Sequence, residues 1–104
     1  MNLRGTLPTL ILEALENQPD HGYSIAQRIK ERSSGILDFK EGTLYPALHK
    51  LELEELLASY EEIEKGRTRR YYRITNKGRG ALAKGRAEWQ KLAGVVSLIL
   101  KEAP

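Results

Sequence analysis

Apolar residues return every three or four positions in four stretches of this 104-residue chain and alternate with polar ones in two others, which predicts four helices and a hairpin. In the first stretch Leu7, Leu10, Ile11, Ala14 and Leu15 form one stripe. The Thr6 hydroxyl is placed to cap that helix, and Pro8 falls in the first turn, where its missing N–H costs nothing. "NQPDHG" is dense in helix breakers and ends it. A second helix is expected through "YSIAQRIKERS", with Tyr23, Ile25, Ala26 and Ile29 inward, Arg28, Lys30 and Glu31 outward, and "SSG" as its stop. "ILDFK" follows as a short extended piece.

The third helix holds Leu44, Leu48 and Leu51 on one stripe but also Pro46. If Thr43 is its cap, Pro46 sits in the first turn and is harmless. If the helix starts near Lys40, the proline ring presses on an earlier carbonyl and bends the first turn. In both cases Thr43, Tyr45, His49 and Lys50 point away from the leucines. "LLASYEEIEKGRTRRYYRIT" then predicts two strands separated by Lys65, Gly66 and Arg67. Tyr72 and Ile74 would face the body, with Arg69, Tyr71 and Arg73 on the opposite side.

Thr75 or Asn76 is expected to cap the last helix. Within it Leu82, Gly85, Trp89, Leu92, Val96 and Ile99 recur at spacings of three and four, a narrow seam of the coiled-coil kind with Gly85 leaving a gap beside the indole. Ala93, Val95, Leu98 and Leu100 widen that stripe. A single small domain covers less apolar surface than this helix offers, so a partner helix is expected; the competing possibility is that the helix folds back on its own core.

Charge changes the picture at one place. Nine basic residues and no acidic one lie between Lys65 and Arg86, whereas the other 82 positions hold eight basic and 14 acidic residues. A cationic segment on an acidic body suits a polyanionic partner. Cysteine is absent, so disulfides and thiolate metal sites are excluded. The N-terminal stretch carries Glu13 and Glu16 and fits neither a signal peptide nor a membrane span, so a cytoplasmic protein without membrane contact is expected. No nucleophile with a base, carboxylate pair or metal-ligand set stands out, and neither enzymatic activity nor a cofactor or metal is expected. His21 in "DHGYS" is read as a turn residue.

The order helix, helix, short strand, helix, hairpin, helix is that of a winged helix-turn-helix followed by a C-terminal helix, a mainly α fold with a small hairpin. The expected division is a DNA-binding domain over residues 1–75 and a dimerisation helix over 76–104. Thr43 and Tyr45 are candidates for phosphate contact, Pro46 for fixing the entry geometry, and His49 and Lys50 for base edges. Without Arg, Asn or Gln for bidentate contacts, sequence reading by this helix should be modest. Lys65, Arg67, Arg69, Arg70 and Arg73 are the wing candidates.

Four stretches, "HGYSIAQRI", "EGTLYPALHKLE", "GRTRRYYRITNKGR" and "AEWQKLAGVVSLIL", resemble in order and spacing the PadR family of transcriptional regulators. The resemblance covers nearly the whole chain, and its short C-terminus is similar to the subfamily in which one helix after the wing makes the dimer. It implies a homodimer on a double-stranded DNA operator, most often a repressor, released by a small molecule such as a phenolic acid or a drug. Leu82, Trp89, Leu92, Val96 and Ile99 are then the dimerisation candidates. Trp89 is either plain packing or a stacking surface for a small aromatic effector. The alternative function is a winged-helix module that binds protein instead of DNA. One departure stands out: the family pattern resembles "LEREGLI" after the third helix, but this chain has "LELEELL", with Glu55 at the glycine position, where a left-handed cap would strain it, so a longer or frayed helix end and a changed angle between helix and wing are expected.

Overall fold

The computed structural model describes residues 5–101. The elements run α1 (Leu7–Ala14), β1 (Asp20–His21), α2 (Gly22–Arg32), α3 (Glu41–Leu53), β2 (Leu57–Glu64), β3 (Arg67–Ile74) and α4 (Asn76–Leu100). The three strands form one antiparallel sheet in the order β1-β3-β2. This is the winged helix-turn-helix expected from the element order, with one correction. The third strand is the pair Asp20–His21, which borders β3 opposite Tyr72 and Tyr71. "ILDFK" makes no ladder; Leu37 and Phe39 instead lie against the core as irregular chain.

One face of each element feeds a single core: Leu7, Ile11 and Leu15 from α1, Ile25 and Ile29 from α2, Leu44, Leu48 and Leu51 from α3, Leu57, Tyr72 and Ile74 from the sheet, and Leu82 from α4. Burial of these side chains is the main stabilising term, about 1.5–3 kcal/mol for each large one. Two expected inward or outward positions differ. Tyr23 is 69% exposed, because Gly22 and Ile25 take the inner face of α2. Arg28 turns back: its guanidinium donates to the Ala14 carbonyl at 2.7 Å and pairs with Asp20 at 3.2 Å. That contact satisfies the end of α1 and the one buried acid of the core.

The termini show which caps hold. Thr6 makes no side-chain cap bond to α1, and its backbone is already helical. Thr75 does cap α4, accepting from the Gly78 N–H at 2.9 Å. Its hydroxyl also donates to the Glu55 carbonyl at 2.7 Å, tying the start of α4 to the end of α3. Helix α3 starts at Glu41 with Lys40 as its cap residue, so Pro46 lies inside the helix and the Gly42 carbonyl cannot receive the usual bond from residue 46. The Thr43 and Leu44 N–H groups both donate to the Lys40 carbonyl, at 3.0 and 2.9 Å, which secures the first turn despite the proline.

Glu55 adopts the left-handed conformation, φ 62°, that the missing glycine would have supplied. The Leu56 N–H donates to the Leu51 carbonyl and the Glu55 N–H to the Glu52 carbonyl, both at 2.9 Å, so α3 closes with a complete Schellman motif and neither lengthens nor frays. The cost is confined to one residue. Glu55→Gly should therefore raise the unfolding free energy by about 1 kcal/mol, since the strain removed exceeds the added chain entropy. Chemical denaturation at unchanged m-value measures it, and a destabilised variant would contradict the assignment.

Helix α4, 25 residues long, packs only its first half on α1 and then leaves the body. The molecule measures 61 × 29 × 22 Å, with a radius of gyration of 15.6 Å. A compact chain of this length would have about 13 Å.

Candidate nucleic-acid interface

Helix α3 buries Leu44, Leu48 and Leu51 and leaves Glu41, Gly42, Thr43, Tyr45, Pro46, His49 and Lys50 exposed on the opposite face. Thr43, Tyr45, Pro46, His49 and Lys50, the five recognition-helix candidates, thus share one solvent-facing surface. Tyr45 is anchored there: its phenol lies over Gly22, where an added Cβ would stand 2.8 Å from the hydroxyl. Glycine at the first residue of α2 is what allows the two helices to share that ring.

The wing is an eight-residue pair, β2 and β3, joined by a two-residue turn in which Lys65 and Gly66 both have positive φ, 49° and 77°. This conformation matches the twist of the strands. Arg67 belongs to β3 and not to the turn, a one-residue difference from the sequence expectation. The ladder register sets Glu61 opposite Arg70, Glu62 opposite Arg69 and Glu64 opposite Arg67. The run of basic residues therefore meets acidic neighbours across the hairpin, and the wing is less cationic than its second strand alone.

Within that arrangement the candidate cations divide. Arg70 donates to the Ser59 hydroxyl at 3.0 Å, Ser59 in turn bonds the Glu52 carboxylate of α3, and Arg70 stands 3.9 Å from both Glu52 and Glu61. It braces the wing against the recognition helix. Arg69 reaches back to His21, 2.8 Å from Nε2. Lys65, Arg67 and Arg73 are exposed and have no ion pair among the described residues. Tyr71 stacks on Tyr60 at 5.8 Å and bonds the Glu64 carboxylate, which pushes its pKa up to about 12 and keeps the phenol protonated.

Beside this surface a cleft of about 490 Å³ opens between α2, α3 and the wing, lined by His21, Tyr23, Tyr45, Thr68, Arg69 and Arg70 among others. His21, read from sequence as a turn residue, caps α2 by accepting from the Ser24 N–H at 3.4 Å. Tyr23, expected inward from the sequence, lines this face instead, and Thr68 was not singled out in the sequence. The signal available in the sequence is the "HGY" step, in which His21 caps α2 and Gly22 and Tyr23 open it.

On α4, Trp89 is 53% exposed, Leu92 54% and Ile99 76%, and Val96 lies in the same stripe. Leu82 does not share this exposure; it is buried in the chain's own core and is not available to a second subunit, contrary to its expected place in the seam. The space at Gly85 is not open beside the indole either. Thr9 of α1 fills it, and a Cβ at Gly85 would meet the Thr9 hydroxyl. Glycine here permits the close crossing of α1 and α4, which Arg86 reinforces by binding Glu13 and Glu16.

Among the described residues no group of three His, Cys, Asp or Glu side chains is placed to hold a metal ion, and no helix is long and apolar enough to cross a membrane. Residues 11–84 match the Transcriptional regulator PadR-like family. The chain is 37% identical over 83 residues to Transcriptional regulator Rv3488 of Mycobacterium tuberculosis, covering 80% of this chain and 75% of that protein. A transcriptional regulator from Clostridium thermocellum has a similar structure, with a TM-score of 0.89 and 32% identity over 95% of this chain and 97% of the other. A PadR family regulator from Clostridium difficile superposes with a TM-score of 0.82 at 36% identity, over 92% and 99% of the two chains. The winged head, its exposed recognition helix and these matches agree: the chain belongs to the PadR-like family of transcriptional regulators, DNA-binding proteins and not enzymes.

Proposed function

We propose that this regulator works in the cytoplasm as a homodimeric repressor, holding a double-stranded operator through α3 and the wing of each subunit and released by a small aromatic effector. The observation that carries the dimer is the distal half of α4, where Trp89, Leu92, Val95, Val96, Leu98, Ile99 and Leu100 are all exposed on one protruding helix. An exposed apolar stripe of this size marks an interaction surface. A second copy of the same helix, related by a two-fold axis, covers it with matching side chains. The functional division then falls at residue 75/76: DNA contact before it, subunit contact after it, with Leu82 fastening the arm to the head.

Thr43, Tyr45, Pro46, His49 and Lys50 enter the major groove in this reading, and Lys65, Arg67 and Arg73 follow the backbone. The free cations on the wing favour DNA over a protein partner. Trp89, half exposed near the seam, offers an indole face to a flat ligand, whose binding the emission of this single tryptophan would report. Such a ligand lowers operator affinity only if it binds the DNA-ready and DNA-unready dimers unequally.

Salt dependence tests the interface. With about four phosphates neutralised per subunit, the dimer should show a log–log slope of roughly −7. Lys65→Ala with Arg67→Ala removes two contacts per subunit and should flatten that slope by roughly 3 to 4. An unchanged slope would remove the wing from the interface.

A further inference from the structure

We propose that the cleft between α2 and the wing holds one DNA backbone phosphate per subunit, bound jointly by His21 Nε2–H and the Arg69 guanidinium. This inference rests on the operator-binding reading above and adds a third anchoring point to it, outside α3 and the wing tip.

The reason lies in the two ring nitrogens of His21. Nδ1 accepts from the Ser24 N–H at 3.4 Å, which places the ring proton on Nε2. That Nε2–H then faces the Arg69 Nη1 at 2.8 Å, and both groups are donors. The other tautomer only moves the conflict: Arg69 is satisfied, but Nδ1–H meets the Ser24 N–H. A protonated ring opposes both. An anionic oxygen in the cleft, accepting from Nε2–H and from the guanidinium together, removes the conflict in the tautomer that keeps the cap.

No group of the protein supplies that oxygen. The nearest carboxylate, Asp20, has Oδ1 3.9 Å from Nε2. It is already engaged, accepting from the His21 N–H at 2.9 Å and the Ser24 hydroxyl at 2.6 Å and pairing with Arg28. Among the described residues Arg69 has no ion pair with a carboxylate, whereas its neighbour Arg70 is held by Ser59 and the glutamates around it. The Tyr71 ring meets His21 edge-on at 5.5 Å and fixes the imidazole plane. Tyr45 and Thr68 line the same cleft with hydroxyls, and the opening lies beside the exposed face of α3. A phosphodiester is the matching ligand: it is a tetrahedral anion that accepts from several directions and sits on a duplex that α3 already approaches.

The test is salt-resolved binding of a mixed-sequence duplex of about 30 base pairs, enough for two half-sites a few turns apart, by the full chain. His21→Asn, Arg69→Ala and the double variant are measured beside the parent. Asn keeps the α2 cap but is too short to reach the cleft. Each single change should weaken binding about tenfold and flatten the dimer's slope by about 1.8, one phosphate per subunit. The double variant should lose little beyond either single one, because both groups serve one phosphate. Affinity of His21→Asn within twofold of the parent, or losses that simply add, overturns the shared site.

Failure of the operator reading looks different: the parent itself then binds no duplex. In that case the His21 ring nitrogens, followed by NMR during a titration with inorganic phosphate, decide the source. Saturable shifts that vanish in Arg69→Ala assign the cleft to a free phosphate in place of DNA and correct the proposal, and no shift with either probe overturns it.

Discussion

Replacing Leu92 with Asp should leave a folded head that sediments as a monomer at micromolar concentration, where the parent should sediment as a dimer. Residue 92 is 54% exposed in the single chain, so the carboxylate costs the isolated subunit little. In a two-fold helix pair the same position is covered, and burying an unpaired carboxylate costs several kcal/mol. Symmetry doubles that penalty and brings two like charges toward one axis. The consequence for DNA is larger than any single contact. With the subunits unlinked, the second half-site no longer binds at a high effective concentration, and operator affinity should fall by about 10² to 10⁴. Thermal unfolding of the head at matched concentration separates this outcome from simple misfolding. A parent chain that sediments as a monomer would refute the dimer whatever the variant does.

The second large effect belongs to a glycine. At Gly78 an added Cβ would stand 2.1 Å from the Leu56 carbonyl oxygen and 2.8 Å from Ile74 Cγ1. That carbonyl is held in place, because it accepts from the Thr75 N–H at 3.1 Å and shares the single Thr75 hydroxyl proton with the Glu55 carbonyl. Neither the helix nor the strand can yield without breaking the cap that joins α3, β3 and α4. Gly78→Ala should thus destabilise by about 3 kcal/mol or more, overpacking against backbone instead of a flexible side chain. The midpoint of thermal unfolding should fall by roughly 10–20 °C. Gly80→Ala, two residues on in the same helix and facing open space, is the control and should gain about 0.5–1 kcal/mol. Similar midpoints for the two variants would show that the close approach at Gly78 carries no weight.

Both predictions depend on how α4 is placed, and that placement separates what was legible in sequence from what was not. The stripes Leu7-Ile11-Leu15 and Leu44-Leu48-Leu51, the hairpin of β2 and β3, a cap for α4 at Thr75 or Asn76, which the structure resolves as Thr75, and the exposed face of α3 followed from local periodicity and turn chemistry, and the structure shows them. These are properties of a few consecutive residues, set by side-chain spacing and backbone sterics. Glu55 stood out only against the family pattern, and the structure shows that the helix closes on this left-handed residue instead of lengthening or fraying.

What the sequence could not settle was which neighbour each face meets. Two residues, Asp20 and His21, become a strand only because the edge of β3 passes alongside. Leu82 and Gly85 fit a subunit seam by spacing, yet α1 crosses α4 at that point, so Leu82 enters the core and Thr9 fills the glycine gap. The nine basic residues between positions 65 and 86 look alike in one dimension. Only the side-chain contacts of the folded chain divide them: Ser59, Glu52 and Glu61 brace Arg70, whereas Lys65, Arg67 and Arg73 have no ion pair among the described residues. Thus the chain by itself determined its four helices, its hairpin, most of their apolar faces and its family. The tertiary structure decided the partners of those faces, because strand register and helix crossing are fixed by contacts between residues far apart in sequence, which no local period encodes.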